Sequence, residues 1–263
     1  MEIEENALEQ ALRHAAIDPA HRPEFYRVLL ESTVFVIGTS DGQSEGFNTL
    51  EAGSKIQIQN WQKPDGSSVI PFFSSLAALH HAIESGASYM ALPARSLFEM
   101  TRGANLVFNP RTDYGKEFFS NEIEALLSGG VNRLPTQRVV EKATKVLLGQ
   151  PKNYPSAMVT ALTTLLSKHN NVKAAYLALM HDPAVDEKPH LVVGIEAEGD
   201  FENVIREAGA VAGDTSPDGE PVDLIRIRRG ESGLDQYFIE EVKPFYERTW
   251  GSKLRSVLGF GHA

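Results

Sequence analysis

Residues 67–109, SSVIPFFSSLAALHHAIESGASYMALPARSLFEMTRGANLVFN, decide the fold class. Ser67 to Phe73 reads as an apolar strand, Ser75 to Ile83 carries apolar residues at helical spacing, and Tyr89 to Leu92 and Leu106 to Phe108 read as two further strands. A two-turn helix from about Arg95 to Thr101 fits between these last two. Ser74 or Ser75 is the expected helix cap, Gly86 the stop, and Leu76, Leu79, His80 and Ile83 the core face. Strands and helices alternating with so little slack predict a packed α/β layer, and the turn formers between them specify no reaction.

Upstream, Pro64-Asp65-Gly66 supplies a type I turn closed by a left-handed glycine, so 54–73 is expected to be a hairpin. Pro71 cannot donate to a ladder, which places its arm at an edge or makes it leave the sheet. Ala7 to Ala15 and the segment after Pro23 have helical periodicity, Thr33 to Ile37 alternates as a strand, and 38–53 reads as a loop. Downstream, 120–128 is helical, and Gly129-Gly130 with the polar segment to Gln137 marks a boundary. Two domains are expected, 1–135 with a mixed α/β sheet and 136–263.

The second half reads as strand 145–148, helix 155–168, strands 172–180 and 191–198, helix 201–209, strand 222–228 and a closing helix 234–248. That βαββαβ order is the ferredoxin-like one, an antiparallel sheet with two helices on one face, here with an extra C-terminal helix. The class is therefore α/β in the first domain and α+β in the second.

Across 263 residues the hydrophobic and charged fractions, 42% and 23%, are those of a globular protein. The net charge of −10 argues against nucleic acid and anionic membranes as partners. Cysteine is absent, which removes disulfides, thiolate nucleophiles and cysteine-bound zinc. An acidic start, MEIEENALEQALRHAA, and the lack of a membrane-length apolar run predict a cytoplasmic protein.

Templates for nucleotide binding and zinc-dependent hydrolysis are missing: there is no GxxxxGK[ST], HExxH or strand-linked GxGxxG. His80 and His81 are adjacent on a helix and point too far apart to chelate one ion. The acidic turn from Asp214 begins like a calcium loop but has Pro217 at the fourth position and Ile225 at the twelfth. Glu196, Glu198 and Asp200, at alternate positions, are the one set of acids that a strand would aim together at a metal ion. Arg226 and Arg228 share a strand face and could pair with those acids or hold an anion. Arg95 and Glu99 are spaced as a helical ion pair. Trp250, with Phe245, Tyr246, Lys243, Arg248, Lys253 and Arg255, makes an aromatic and basic C-terminal region that docks either on the protein's own sheet or on a partner.

Six segments carry a family resemblance: AHRPEFYRVLLESTVFV (20–36), DGSSVIPFFSSLAAL (65–79), LPARSLFEM (92–100), GIEAEGD (194–200), AGDTSPDGEPVD (212–223) and PFYERTWG (244–251). Together they resemble the SseB, or enhanced serine sensitivity, family of enteric bacteria across both halves. The resemblance implies separate N-terminal and C-terminal SseB domains and a link to the response to serine. It brings no catalytic motif and no cofactor. The expected function is accordingly non-enzymatic binding or regulation through a protein partner or small metabolite, with Arg95, Glu99, Arg226, Arg228 and Trp250 as binding positions. The alternative is a metal-assisted enzyme using Glu196, Glu198 and Asp200.

Overall fold

Thr33–Ser40 forms strand β1, whose β-branched and aromatic residues suit a pleated surface covered on both sides. The structure is a computed structural model that describes residues 5–40, 56–83, 86–128, 146–183, 186 and 188–248. Its contacts divide the chain into two units, 1–130 and 131–263. The loop expected at 38–53 lies outside the described residues beyond Ser40, as does the boundary segment 129–137.

In the first unit, β1 takes β5 (Tyr89–Pro93) along one edge, pairing Val34 with Leu92. Along the other edge it meets β4 (Ser68–Phe73) at Phe35 and Val36, and then β2 (Ile56–Ile58) at Gly38 to Ser40. Beyond β4 lie β6 (Leu106–Phe108), parallel to it, and β7 (Lys116–Phe118), antiparallel to β6. The apolar alternation fills both faces. Phe72, Phe108 and Phe118 face Phe25 of α2 (Arg22–Glu31) and Phe98 of α4 (Ala94–Met100), with Phe72 stacked 4.8 Å from Phe108 and edge-on to Phe98 at 5.8 Å. Such ring pairs each add about 0.5–1.5 kcal/mol beyond their burial. On the opposite face, Ile37 and Phe73 pack against Ala78, Leu79 and Ala82 of α3 (Leu76–Ala82). His80, expected on that face, is exposed, because the buried stripe runs through Ala78 and Ala82 instead.

The hairpin forms as Pro64-Asp65-Gly66 requires. Strand β3 (Trp61–Gln62) pairs with Val69 and Ser68, Gly66 has φ 84°, and its N–H donates to the Lys63 carbonyl at 2.9 Å. Pro71 does not end its strand. Ile70 and Phe72 make the bonds to the β6 side, through Ile70 N–H to Asn105 and Asn109 N–H to Phe72, so Pro71 faces the other edge, where β3 gives way to β1 as partner. A missing donor costs little at that break.

Where β4 and β6 end, a polar network replaces the ladder. Asn109 has a left-handed backbone, φ 46°, and its side-chain oxygen accepts the Ser74 N–H at 2.8 Å while its amide donates to the Ser74 hydroxyl at 2.8 Å. That hydroxyl donates to Glu9 at 2.6 Å, and Ser75, the cap of α3, donates to the same oxygen at 2.9 Å. Glu9 also closes the capping box of α1 (Ala7–Ile17) with Asn6. The first helix is thus tied to the ends of two parallel strands.

The second unit keeps the α/β elements but pairs them differently from a ferredoxin-like sheet. Strand β9 (Val172–His181) pairs antiparallel with β10 (His190–Ala197), and β10 lies parallel to β11 (Val222–Arg226). The crossover helix α7 (Glu202–Thr215) returns the chain in the same direction and produces this parallel neighbour. The opening strand, β8 (Leu147–Gly149), sits on the far edge of β9, which it shares with β12 (Tyr246–Glu247). The closing helix is shorter than expected: α8 (Leu234–Glu241) ends well before Arg248, and the chain returns to the sheet as β12. One sheet face packs Tyr176, Ala178 and Val192 against Phe238 of α8, and a Cβ on Gly194 would lie 2.8 Å from the Ile227 side chain and force it to move. The other buried face, Ala175, Leu177, Val193 and Ile195, belongs to the side of α6 (Ser156–Lys168) and α7, which pack on each other.

Replacing Asn109 by Ala is expected to cost about 2–4 kcal/mol in urea unfolding, the sum of an orphaned buried Ser74 N–H and a left-handed alanine. Asn109→Asp, which keeps the acceptor and the backbone tolerance, should lose less.

Candidate functional site

The tight turn that brings Trp61 alongside β4 and the loop that follows β6 meet at an open hollow of about 690 Å³, lined by Asn60, Trp61, Gln62, Ser68 and Arg111. Trp61 is half-buried, with its ring edge-on to Phe73 at 6.4 Å, so it is fixed to the core on one side. The Arg111 guanidinium lies 5.5 Å from the Trp61 ring centre and donates to the Ala82 carbonyl, the end of α3, at 3.0 Å. Arg111 has φ 66°, a region that non-glycine residues rarely occupy, and Thr112 holds the loop through the carbonyls of Asn109 and Tyr114, both at 2.9 Å. Among the described residues no carboxylate pairs with Arg111.

The acids expected to converge are engaged separately. Glu196 is 5% exposed and receives Arg229 in a two-pronged pair at 2.8 and 3.0 Å. Glu198 pairs with Lys173 at 2.6 Å, and Asp200 accepts weakly from the Asn203 N–H at 3.4 Å. A register shift at Glu196/Ala197 breaks the alternation that would have aligned them. Among the described residues no three His, Asp or Glu side chains are grouped to hold a metal ion.

The arginines expected opposite these acids are displaced by one. Arg226 donates to the Ala197 carbonyl at 3.1 Å and lies over Phe201, and exposed Arg228 is 3.9 Å from Glu231. The partner of Glu196 is Arg229, in the same Arg226-Ile-Arg-Arg run. Arg95 and Glu99 are both exposed on α4 and form no ion pair with each other. Trp250 lies outside the described residues, while Phe245 and Arg248 dock on the protein's own sheet, Phe245 N–H to Ala175 at 2.9 Å and Arg248 to the carbonyls of Val172 and His169 at 3.0 and 2.7 Å.

Burial, followed by the charge of Glu196, pushes the Tyr176 phenol above its ordinary value. Its stabilising contribution is therefore complete below the ordinary phenol pKa of about 10 and is lost as pH rises through the higher folded-state value. Unfolding in urea between about pH 8 and 11 should show this alkaline decline, and Tyr176→Phe should flatten it. Arg229→Ala, which leaves a buried carboxylate unpaired, should cost about 1–2 kcal/mol at pH 7, the lower end for such changes because Arg229 is itself 65% exposed.

Among the described residues no helix is long and apolar enough to cross a membrane. Comparison with known proteins matches residues 8–125 to the SseB protein N-terminal domain and residues 140–248 to the SseB protein C-terminal domain. The chain is 42% identical over 250 residues to Protein SseB of Escherichia coli (strain K12), covering 95% of both chains, and matches Protein SseB of Shigella flexneri to the same extent. No solved structure matches. With both domain models matched in order and nearly the whole length aligned, the chain belongs to the SseB family.

Proposed function

We propose that this SseB-family chain is a non-enzymatic binding or regulatory protein connected with serine sensitivity, acting through a small metabolite or a protein partner. The observation that supports this reading is the hollow of Asn60, Trp61, Gln62, Ser68 and Arg111. It offers amide, hydroxyl, guanidinium and indole groups, which recognise polar molecules by hydrogen bonding and stacking. Its described lining residues hold no pairing of nucleophile with base. The charged groups that a metal-assisted reaction would use are instead spent on structure, as Glu196 with Arg229 and Glu198 with Lys173. The serine connection comes from the family to which the relatives named Protein SseB belong.

The test combines ligand capture with partner capture on the full chain. The protein is incubated with a cytoplasmic small-molecule extract and re-isolated by gel filtration, and the retained compound is identified by mass spectrometry. In parallel, a photo-crosslinking residue at Gln62, on the exposed rim, traps a protein neighbour. The expected result is one unmodified compound or one cross-linked protein in near-stoichiometric amount. A retained compound at a hundred times its Kd should stabilise the chain by about 2.7 kcal/mol. Multiple-turnover conversion of any compound in the extract by substoichiometric chain would overturn the reading.

A further inference from the structure

We infer that the Trp61/Arg111 hollow binds the singly charged carboxylate of a small metabolite, an assignment that rests on the binding reading above and narrows it. Most arginines in the described residues are already engaged: Arg13 with Glu5, Arg27 with Glu24 and Glu31, Arg102 with Glu124, Arg229 with Glu196, and Arg248 with backbone carbonyls. Arg111 differs. A guanidinium carries five N–H donors, and among the described residues Arg111 spends one of them, on the neutral carbonyl of Ala82.

That bond and the Trp61 ring, 5.5 Å from the guanidinium carbon, restrain the group. Its remaining donors belong to a fork of the geometry that matches a carboxylate. Preorganisation extends to the backbone, since Arg111 is held at φ 66° in a loop anchored by Asn109 and Thr112. Strain of this kind concentrates where a side chain must be presented in one direction. The charge selects among anions. Among the described lining residues Asn60, Trp61, Gln62 and Ser68 are neutral and Arg111 supplies one positive charge, which balances a carboxylate and leaves a phosphate dianion undercompensated. The amides and the hydroxyl supply further donors and acceptors for polar substituents on the ligand.

Trp61 makes the site self-reporting. The chain has two tryptophans, so Trp250→Phe leaves the indole under Arg111 as the sole one. In that background, fluorescence is titrated with sodium propionate, propionamide, sodium phosphate and, for ionic strength, sodium chloride. Propionate should give a saturable change, with propionamide at least about tenfold weaker because it lacks the charge that a guanidinium fork reads. Arg111→Gln should weaken propionate by a similar factor, and Arg111→Lys, which keeps the charge and loses the fork, should not restore it. Arg111 also closes α3, so circular dichroism checks the fold. The rim double variant Asn60→Ala, Gln62→Ala provides an independent loss of about threefold or more, the order of one hydrogen bond to a ligand.

Equal responses to propionate and propionamide, an undiminished response in a folded Arg111→Gln protein or in the rim variant, or tighter saturation by phosphate would each overturn the assignment. A silent hollow in a protein that still captures one partner at Gln62 would overturn the carboxylate alone and leave the broader binding reading in place. Multiple-turnover conversion of propionate would do the reverse, keeping the site and removing its non-enzymatic role.

Discussion

The exchange of hydrogen bonds between Asn109 and Ser74 governs the architecture of the first unit. Two parallel strands, β4 and β6, end together inside the protein, where an unfinished ladder would leave buried backbone groups unpaired. Asn109 solves this by turning its backbone left-handed and substituting its side-chain amide for the next rung. Asparagine is suited to both tasks, since it tolerates that conformation and carries a donor and an acceptor on one short arm. The direction of the network then follows. Asn109 donates to Ser74, Ser74 donates to Glu9, and Glu9 also receives Ser75 and the Asn6 N–H. Because the chain leaves β6 in this one direction, Arg111 arrives two residues later beside Trp61.

The second unit meets a similar problem with charge. Glu196 stands on the face covered by α8, at a break in the strand register, and Arg229 arrives after β11 to cover it. Both prongs of that fork are occupied, and the carboxylate has 5% exposure, so the pair neutralises itself and offers little to a ligand. An identical side chain at Arg111 spends one donor on a neutral carbonyl. The two arginines show how context decides whether a guanidinium is structural or available.

Much of the fold was legible because its signals are local. Pro64-Asp65-Gly66 specifies its turn without help from distant residues, and Ser75 caps α3 as its position predicts. What escaped reading depends on long-range pairing. The parallel arrangement of β10 and β11, and the shared edge of β9, cannot be obtained from element order. Pro71 misled because a strand that changes partner has an interior break that looks, in sequence, like an edge. The candidate site was the least legible part. Arg226 and Arg228 were chosen by alternation, which fails past the end of β11, where Arg229 makes the contact. Arg111 carries no motif; its only local sign is the Asn-Pro-Arg sequence directly after an apolar strand, and its meaning requires knowing that Trp61, 50 positions earlier, lies beneath it.

A protein of net charge −10 is an unpromising host for an anion if its charge is spread evenly over the surface. At physiological ionic strength, however, exposed charges beyond about 8 Å are largely screened, so the local lining counts for more than the total. Among its described lining residues the hollow has a single cation and no acid. The positive charge stays concentrated at Arg111, since the group it touches is a backbone carbonyl and not a carboxylate. A net negative charge opposes multiply charged anions at long range and low salt more strongly than it opposes one compact charge approaching the guanidinium edge.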